Sequence, residues 1–288
     1  MPIIAVTSIA PGEGKTGVAA AIARHFAYLG RPVRLVRLVA DAGNAAHDAA
    51  FFASLDFAPG SPGGPIAPGD VKAPDGDGVL VAECSAEQTA EIAGARIVLV
   101  CRGAVAASLP AGLQPAAVVV TDVALSADPT GPDGVATVVL REDRTLAGFG
   151  VDEAQRALNA EVLVEGEPGR STCDHLVIAP ISSDAGQPYF RRFASKAVVV
   201  RYDKTDQHLA AMRGSPECLI LTGGRMPSGY LFDAAGAQGV PVLLSRNDTE
   251  NTVIALEGIF DRTRFQGQRK LDRMCELLDG SGLYEAIL

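Results

Sequence analysis

The sequence predicts an α/β protein: a mainly parallel sheet covered by helices on both faces, followed by a smaller α/β domain. Three observations carry this. Short β-branched runs alternate with Ala-rich helical stretches, each run is bounded by Gly, Pro or Asp, and the alternation restarts after a polar, turn-rich stretch at Glu165–Ser171. A hydrophobic content of 48% with only 5% aromatic residues and no Trp suits the packing of small side chains between layers.

The first strand is expected at Ile3–Thr7, followed by a glycine-containing loop and a helix over Gly17–Leu29. Gly30-Arg31-Pro32 stops that helix and admits a strand at Val33–Leu38. The stretch Ala58–Asp77 is dense in Pro and Gly without periodicity, so it is expected as surface loop. Strands follow at Gly78–Ala82, Arg96–Cys101, Ala116–Val120 and Thr137–Leu140. Beyond Val162–Val164 and the turn-rich stretch come strands at His175–Ala179, Ala197–Val200, Cys218–Leu221 and Val240–Leu244. Helices are expected at Asp206–Met212, Ser228–Gln238 and Asn251–Phe260, with an amphipathic closing helix at Gln266–Leu278. The composition shift puts the domain boundary after residue 166, giving domains 1–166 and 172–288.

Composition excludes several functions. Lys and Arg number 25 against 34 Asp and Glu, a net charge of −9 without like-charge blocks, so a nucleic-acid partner is not expected. The longest apolar runs, Ala95–Cys101 and Ala116–Val120, are far shorter than the roughly 18 residues of a membrane span. The N-terminus lacks the basic region of a secretion signal, which points to the cytoplasm. Cys84, Cys101, Cys173, Cys218 and Cys275 are scattered and form no CxxC pair, so reduced thiols are expected rather than disulfides or a zinc site. His25, His47, His175 and His208 accompany no nucleophile elbow.

The segment Ser8-Ile9-Ala10-Pro11-Gly12-Glu13-Gly14-Lys15-Thr16 lies between a strand and a helix, the setting of a phosphate-binding P-loop. A tight glycine turn and a helix N-terminus offer backbone N–H groups to phosphate oxygens, a lysine adds mobile charge, and a hydroxyl reaches Mg²⁺. Gly12, Glu13, Gly14, Lys15, Thr16 and Gly17 are therefore the candidate nucleotide-binding residues, although the standard spacing demands Gly where Ile9 stands. The competing reading is a structural glycine turn. A nucleotide-bound Mg²⁺ needs further oxygen ligands at neighbouring strand ends, and Glu83 is a candidate beside Thr16; Asp48, in His47-Asp48-Ala49-Ala50, is a second candidate because it resembles the Asp-Ala pair opening the second helix of dethiobiotin synthetases, with Asp41 as competitor. Each could equally be a solvated loop residue or a helix cap.

The loop resembles that of dethiobiotin synthetase and its relatives, with Ser8 where that family has Gly. It is also similar to the Pro-Gly-Glu-Gly-Lys loops of bacterial tyrosine kinases and partition ATPases, but Ala10 replaces the partition lysine and no Tyr-rich tail is present. The dethiobiotin synthetase resemblance implies Mg-ATP as cofactor, a homodimer, and a catalytic set of Lys15, Arg37 and Glu83. Arg37-Leu38 stands for the family's Lys-Pro, and Glu83-Cys84-Ser85 lacks its glycines. The resemblance also places base recognition at Val118–Asp122, with Thr121 where Asn is typical.

Arg141-Glu142-Asp143-Arg144-Thr145-Leu146-Ala147 resembles the segment closing the P-loop half of the N-terminal region of long bacterial phosphate acetyltransferases. The second half resembles the DRTGG domain that follows there, through Tyr202-Asp203-Lys204-Thr205-Asp206, Leu221-Thr222-Gly223-Gly224, Pro241-Val242-Leu243 and Asp248-Thr249. The acetyltransferase domain is absent from the sequence, so that activity is not expected. The resemblance thus implies an ATP-binding sensor or regulator; the alternative is an ATP-dependent ligase that activates a carboxylate or carbamate through a phosphorylated intermediate. In the second domain, Asp203, Thr222, Gly223, Gly224, Arg225 and Asp248 each follow a strand, and are expected to gather at one sheet edge around a small anionic ligand or a nucleotide. There, exposed glycine amides and Arg225 would meet the anion.

Overall fold

A computed structural model of the 288-residue chain describes residues 2–39, 44–72, 74, 76–105, 109–110, 112–167, 172–179 and 189–288. The chain divides into two compact units: Met1–Asp143 with Lys270–Leu288, and Arg144–Arg269.

The first unit is built on six strands, β1 (Ile3–Thr7), β2 (Val33–Arg37), β3 (Val79–Glu83), β4 (Arg96–Arg102), β5 (Ala117–Val123) and β6 (Ala136–Arg141). Their order is β2-β3-β1-β4-β5-β6, and every pairing is parallel. The runs chosen by β-branched composition are the strands, because side chains buried on both faces of a parallel sheet leave no polar alternation to disguise them. All five residues of β3 are buried, and so is the interior of β1. Helix α1 (Lys15–Tyr28) covers β1, β2 and β3 with a stripe of Gly17, Val18, four alanines, Ile22 and Phe26, small side chains that let helix and sheet approach closely. It stops as the sequence indicates. Gly30 takes φ 77°, its N–H donates to Ala27 O at 2.9 Å, and Arg31 N donates to Phe26 O at 3.2 Å, a Schellman pair. Helix α2 (Ala45–Ala53) packs on β2.

The second unit contains α3 (Arg144–Ala147), α4 (Val151–Leu158), β7 (Glu161–Val164), β8 (His175–Ile178), β9 (Lys196–Arg201), α5 (Thr205–Arg213), β10 (Cys218–Thr222), α6 (Tyr230–Ala237), β11 (Val242–Leu244) and α7 (Thr249–Glu257). Its sheet runs β7-β11-β10-β9-β8, parallel except for β7 against β11. Alternate residues feed two cores: Val198, Val200, Leu219 and Leu221 pack with Met212, Leu231 and Ala235, while Ala197, Val199, Cys218 and Ile220 pack with Phe149, Leu158 and Leu256.

The expected boundary after residue 166 falls inside the second unit. Leu158 belongs to the core beneath that sheet and β7 is one of its strands, so the whole stretch from Arg144 goes with the second unit. The turn-rich composition at Glu165–Glu167 marks the turn after β7, with Glu167 N donating to Gly239 O at 3.0 Å, and residues 168–171 lie outside the described residues. The expected closing helix, α8 (Gln268–Leu278), enters the first unit at Lys270, followed by α9 (Leu283–Ala286). Asp272 pairs with Arg24, and Arg273 Nε lies 2.8 Å from Asp143, so charge as well as packing binds this segment to the first unit.

Among the described residues no helix is long and apolar enough to cross a membrane. Among the described residues none of the five cysteines is in a disulfide; four are buried and Cys275 is half-buried.

Candidate functional site

The loop between β1 and α1 leaves the sheet at a topological switch. From β1 the chain turns to β2 on one side, whereas β4 lies on the other side of β1, and loops diverging in this way open a crevice at the carboxyl ends of the strands. Gly12 (φ 80°) and Gly14 (φ 93°) hold the left-handed conformations that close the turn, which a side-chain-bearing residue adopts only under strain. Helix α1 starts at Lys15 with no side-chain cap and no acidic residue in its first turn. The positive end of its dipole thus carries no capping side chain.

Six charged or hydroxylic side chains meet there. Lys15 Nζ donates to Ser8 Oγ at 2.7 Å. Thr16 Oγ1 donates to Glu83 Oε1 at 3.3 Å, the carboxyl arriving from the last residue of β3, next to β1. Arg37, in register with Glu83 at the end of β2, places Nε 3.5 Å from Glu83 Oε1 and 3.8 Å from Asp48 Oδ2, while its Nη1 donates to the carbonyls of Leu38 and Glu83 at 3.2 Å. Asp48 reaches the group from the first turn of α2. Arg37 and Glu83 are both buried, at 7% and 2% exposure.

Burial dominates the electrostatics. It pushes the Glu83 carboxyl up to about 7, against the pull of Arg37, with the like charge of Asp48 adding to the rise. It raises Asp48 despite Arg37, and it lowers Lys15 despite Glu83. Glu83 Oε2 is enclosed without a hydrogen-bond partner. An orphaned carboxylate oxygen beside a hydroxyl and an uncapped helix end is the donor set expected of a Mg²⁺–phosphate site. Among the described residues no group of three or more His, Cys, Asp or Glu side chains could hold a metal by itself, so ligand oxygens would have to complete the shell. Lys15, Thr16, Arg37, Asp48 and Glu83 are thus brought together as the sequence indicated; Asp41 lies outside the described residues.

Thr121 is placed differently. The expected base-recognition turn at Val118–Asp122 is strand: β5 continues to Val123, with a register shift after Val120. Thr121 Oγ1 donates to Glu13 O at 2.9 Å and lies 3.3 Å from Cys101 O; a Cβ on Gly14 would stand 3.4 Å from the Thr121 side chain. The hydroxyl therefore ties the loop to β5. Sequence reasoning also missed the Ser8 side chain as a partner of Lys15; its only signal was a hydroxyl where the resembling family has glycine.

In the second unit the turns after β9, β10 and β11 do meet at one edge. Gly223, at φ 95°, packs under Tyr202, whose ring stands 2.9 Å from where a Cβ would be, and Gly224 backs onto Arg246. Thr222 Oγ1 and Thr249 Oγ1 are 2.9 Å apart. The glycine amides, however, are not open to a ligand: Gly223 N donates to Asn247 O at 2.8 Å and Gly224 N to Ser245 O at 3.0 Å. Asp203 is held by Arg201 Nε at 2.9 Å, and Asp248 caps α7 by accepting Asn251 N at 2.8 Å. Asp203, Arg225 and Asp248 are all exposed; Arg225, the one cation among the six, lies over the Tyr202 ring at 5.9 Å with its Nη1 3.4 Å from Tyr202 Oη.

Residues 153–259 match the family model of the DRTGG domain, so the chain contains one. Among solved structures the chain is similar to the CBS and DRTGG domains of the regulatory region of Clostridium perfringens pyrophosphatase, complexed with the activator diadenosine tetraphosphate. Identity is 16% and the TM-score 0.36; the match spans 44% of this chain and 56% of that one.

Proposed function

We propose that the first unit binds Mg-ATP and that the chain acts as a nucleotide-dependent sensor or regulator. The observation that carries this is the meeting, at the carboxyl edge of the sheet, of an uncapped helix N-terminus, the glycine turn, Lys15, and a Thr16–Glu83 pair with a free carboxylate oxygen. In this reading the amides from Gly12 to Gly17 surround the phosphates. Lys15 leaves Ser8 for phosphate oxygens, and Thr16 and Glu83, with Asp48 behind Arg37, would hold Mg²⁺. Bound Mg²⁺ would neutralise phosphate charge. Thr121 fixes the loop's far wall, so the position of the amides is set before the nucleotide arrives.

The lysine is the test. Lys15→Ala is expected to abolish ATP binding in titration calorimetry while retaining the wild-type circular dichroism spectrum. Equal affinity in both proteins would overturn the reading.

The ligase alternative shares the nucleotide site but requires a second substrate beside it. Arg37, which stands for the resembling family's mobile lysine, is engaged by two carboxylates and two carbonyls, an arrangement that favours binding over substrate chemistry.

For the second unit we infer that a small anion is met by Arg225 and not by the glycine amides. In a Lys15→Ala background, where the first site no longer binds nucleotide, the chain should keep a thermal shift with nucleotides or acyl phosphates, and adding Arg225→Ala should remove it. A shift surviving in the double variant would leave the edge as a purely structural junction.

A further inference from the structure

Arg37 is fixed by the backbone rather than by its charged neighbours. Its Nη1 donates to the carbonyls of Leu38 and Glu83, both at 3.2 Å, one from the next residue and one from its register partner in β3. Nε is enclosed without a hydrogen-bond partner and stands between two carboxylates, 3.5 Å from Glu83 Oε1 and 3.8 Å from Asp48 Oδ2. These are ion-pair distances, longer than a good hydrogen bond. Arg37 and Glu83 are buried and Asp48 keeps only 13% of its side chain in water, so the three charges are little screened.

Glu83 and Asp48 are the carboxylates assigned to Mg²⁺, and each already faces a cation. An arriving metal does not displace that cation, because the hydrogen bonds that hold it run to carbonyls. The guanidinium therefore repels a metal ion at the carboxylates it stands between, and Lys15, held on the loop by Ser8, adds a second positive charge. Mg²⁺ gives up its water reluctantly and is usually held by one or two carboxylates together with phosphates. Polyphosphate oxygens would supply both the missing negative charge and the remaining ligands.

We propose that Arg37 is a fixed counter-ion that confines metal binding at this site to the metal–polyphosphate complex. The proposal rests on the reading of this loop as a nucleotide site and adds to it the form in which the ligand is taken, cation and nucleotide together and never the free cation first. A sensor so built answers to the nucleotide and not to the level of free Mg²⁺.

Arg37→Gln keeps a donor for the carbonyls and removes the charge; Arg37→Lys keeps the charge and gives up the fork. Titration calorimetry of the full chain at pH 8, where Glu83 is ionised, compares Mg²⁺ alone with Mg-ATP. Wild type should bind Mg-ATP and show no binding of Mg²⁺ alone below about 1 mM. Arg37→Gln should bind Mg²⁺ alone at least about tenfold more tightly than wild type, a modest gain for a unit charge removed at ion-pair distance in a sheltered site. Arg37→Lys should stay at the wild-type value. Sub-millimolar binding of Mg²⁺ alone by wild type would overturn the counter-ion role and leave the nucleotide site standing, and this measurement decides even where Arg37→Gln fails to fold. An equal gain in Arg37→Lys, or none in a folded Arg37→Gln, would overturn it as well. Absence of Mg-ATP binding in wild type would overturn the site itself.

Discussion

Glu83→Gln should flatten the pH dependence of stability between pH 5 and 8 and remove the stabilisation conferred by Mg-ATP. In the folded chain the Glu83 carboxyl titrates at about 7, raised from its ordinary 4.5 by burial. Between those values the folded state keeps a proton that the unfolded chain has released, so stability declines as pH rises through this window. The contribution is fully present below 4.5 and lost above about 7, an amount on the order of 2–3 kcal/mol. Asp48, also raised by burial, works in the same direction. Glutamine cannot ionise, and it leaves Arg37 the carboxylate of Asp48 as partner. Melting curves at pH 5 and pH 8, with and without Mg-ATP, check both parts. Equal slopes in variant and wild type would refute the burial argument, and undiminished Mg-ATP stabilisation would remove Glu83 from the metal shell.

The largest loss of stability is expected from Asp174→Ala in the second unit. Asp174 is 3% exposed; it takes both terminal nitrogens of Arg269 and accepts the Thr145 hydroxyl at 3.1 Å. Its oxygens also press against Gly148, where a Cβ would meet Oδ1 at 2.6 Å. Truncation removes this acceptor from a guanidinium and a hydroxyl and opens a small void. Breaking a fully buried pair costs roughly 3–5 kcal/mol; Arg269 keeps 36% of its side chain in water, so about 2–3 kcal/mol is expected here. A urea midpoint within error of wild type would show the pair to be dispensable.

The fold was largely legible because parallel strands are continuous apolar runs, and β1 was read to the residue. The helix stop at Gly30 was legible because it depends on local conformation alone. The glycine turn between β1 and α1 was visible for the same reason, Gly12 and Gly14 standing two residues apart just before the helix. Thr121 was not. Its partner lies 108 residues away, and nothing local distinguishes a hydroxyl bonded to a loop carbonyl from one that reads a ligand. The glycines after β10 were recognised as a turn, but the carbonyls that claim their amides belong to the turn after β11, a pairing that only the sheet order reveals. The unit boundary was misplaced because a polar stretch marks a turn equally well within a domain and between two.

The return of Lys270–Leu288 to the first unit has a bearing on the order in which the protein is made. Synthesis delivers Arg144–Arg269 as an uninterrupted stretch, so every strand of that sheet has been translated before the first unit receives its last helices. The amino-terminal unit, begun first, is therefore completed last. Until then Arg24 and Asp143 lack the Asp272 and Arg273 that pair with them in the folded unit.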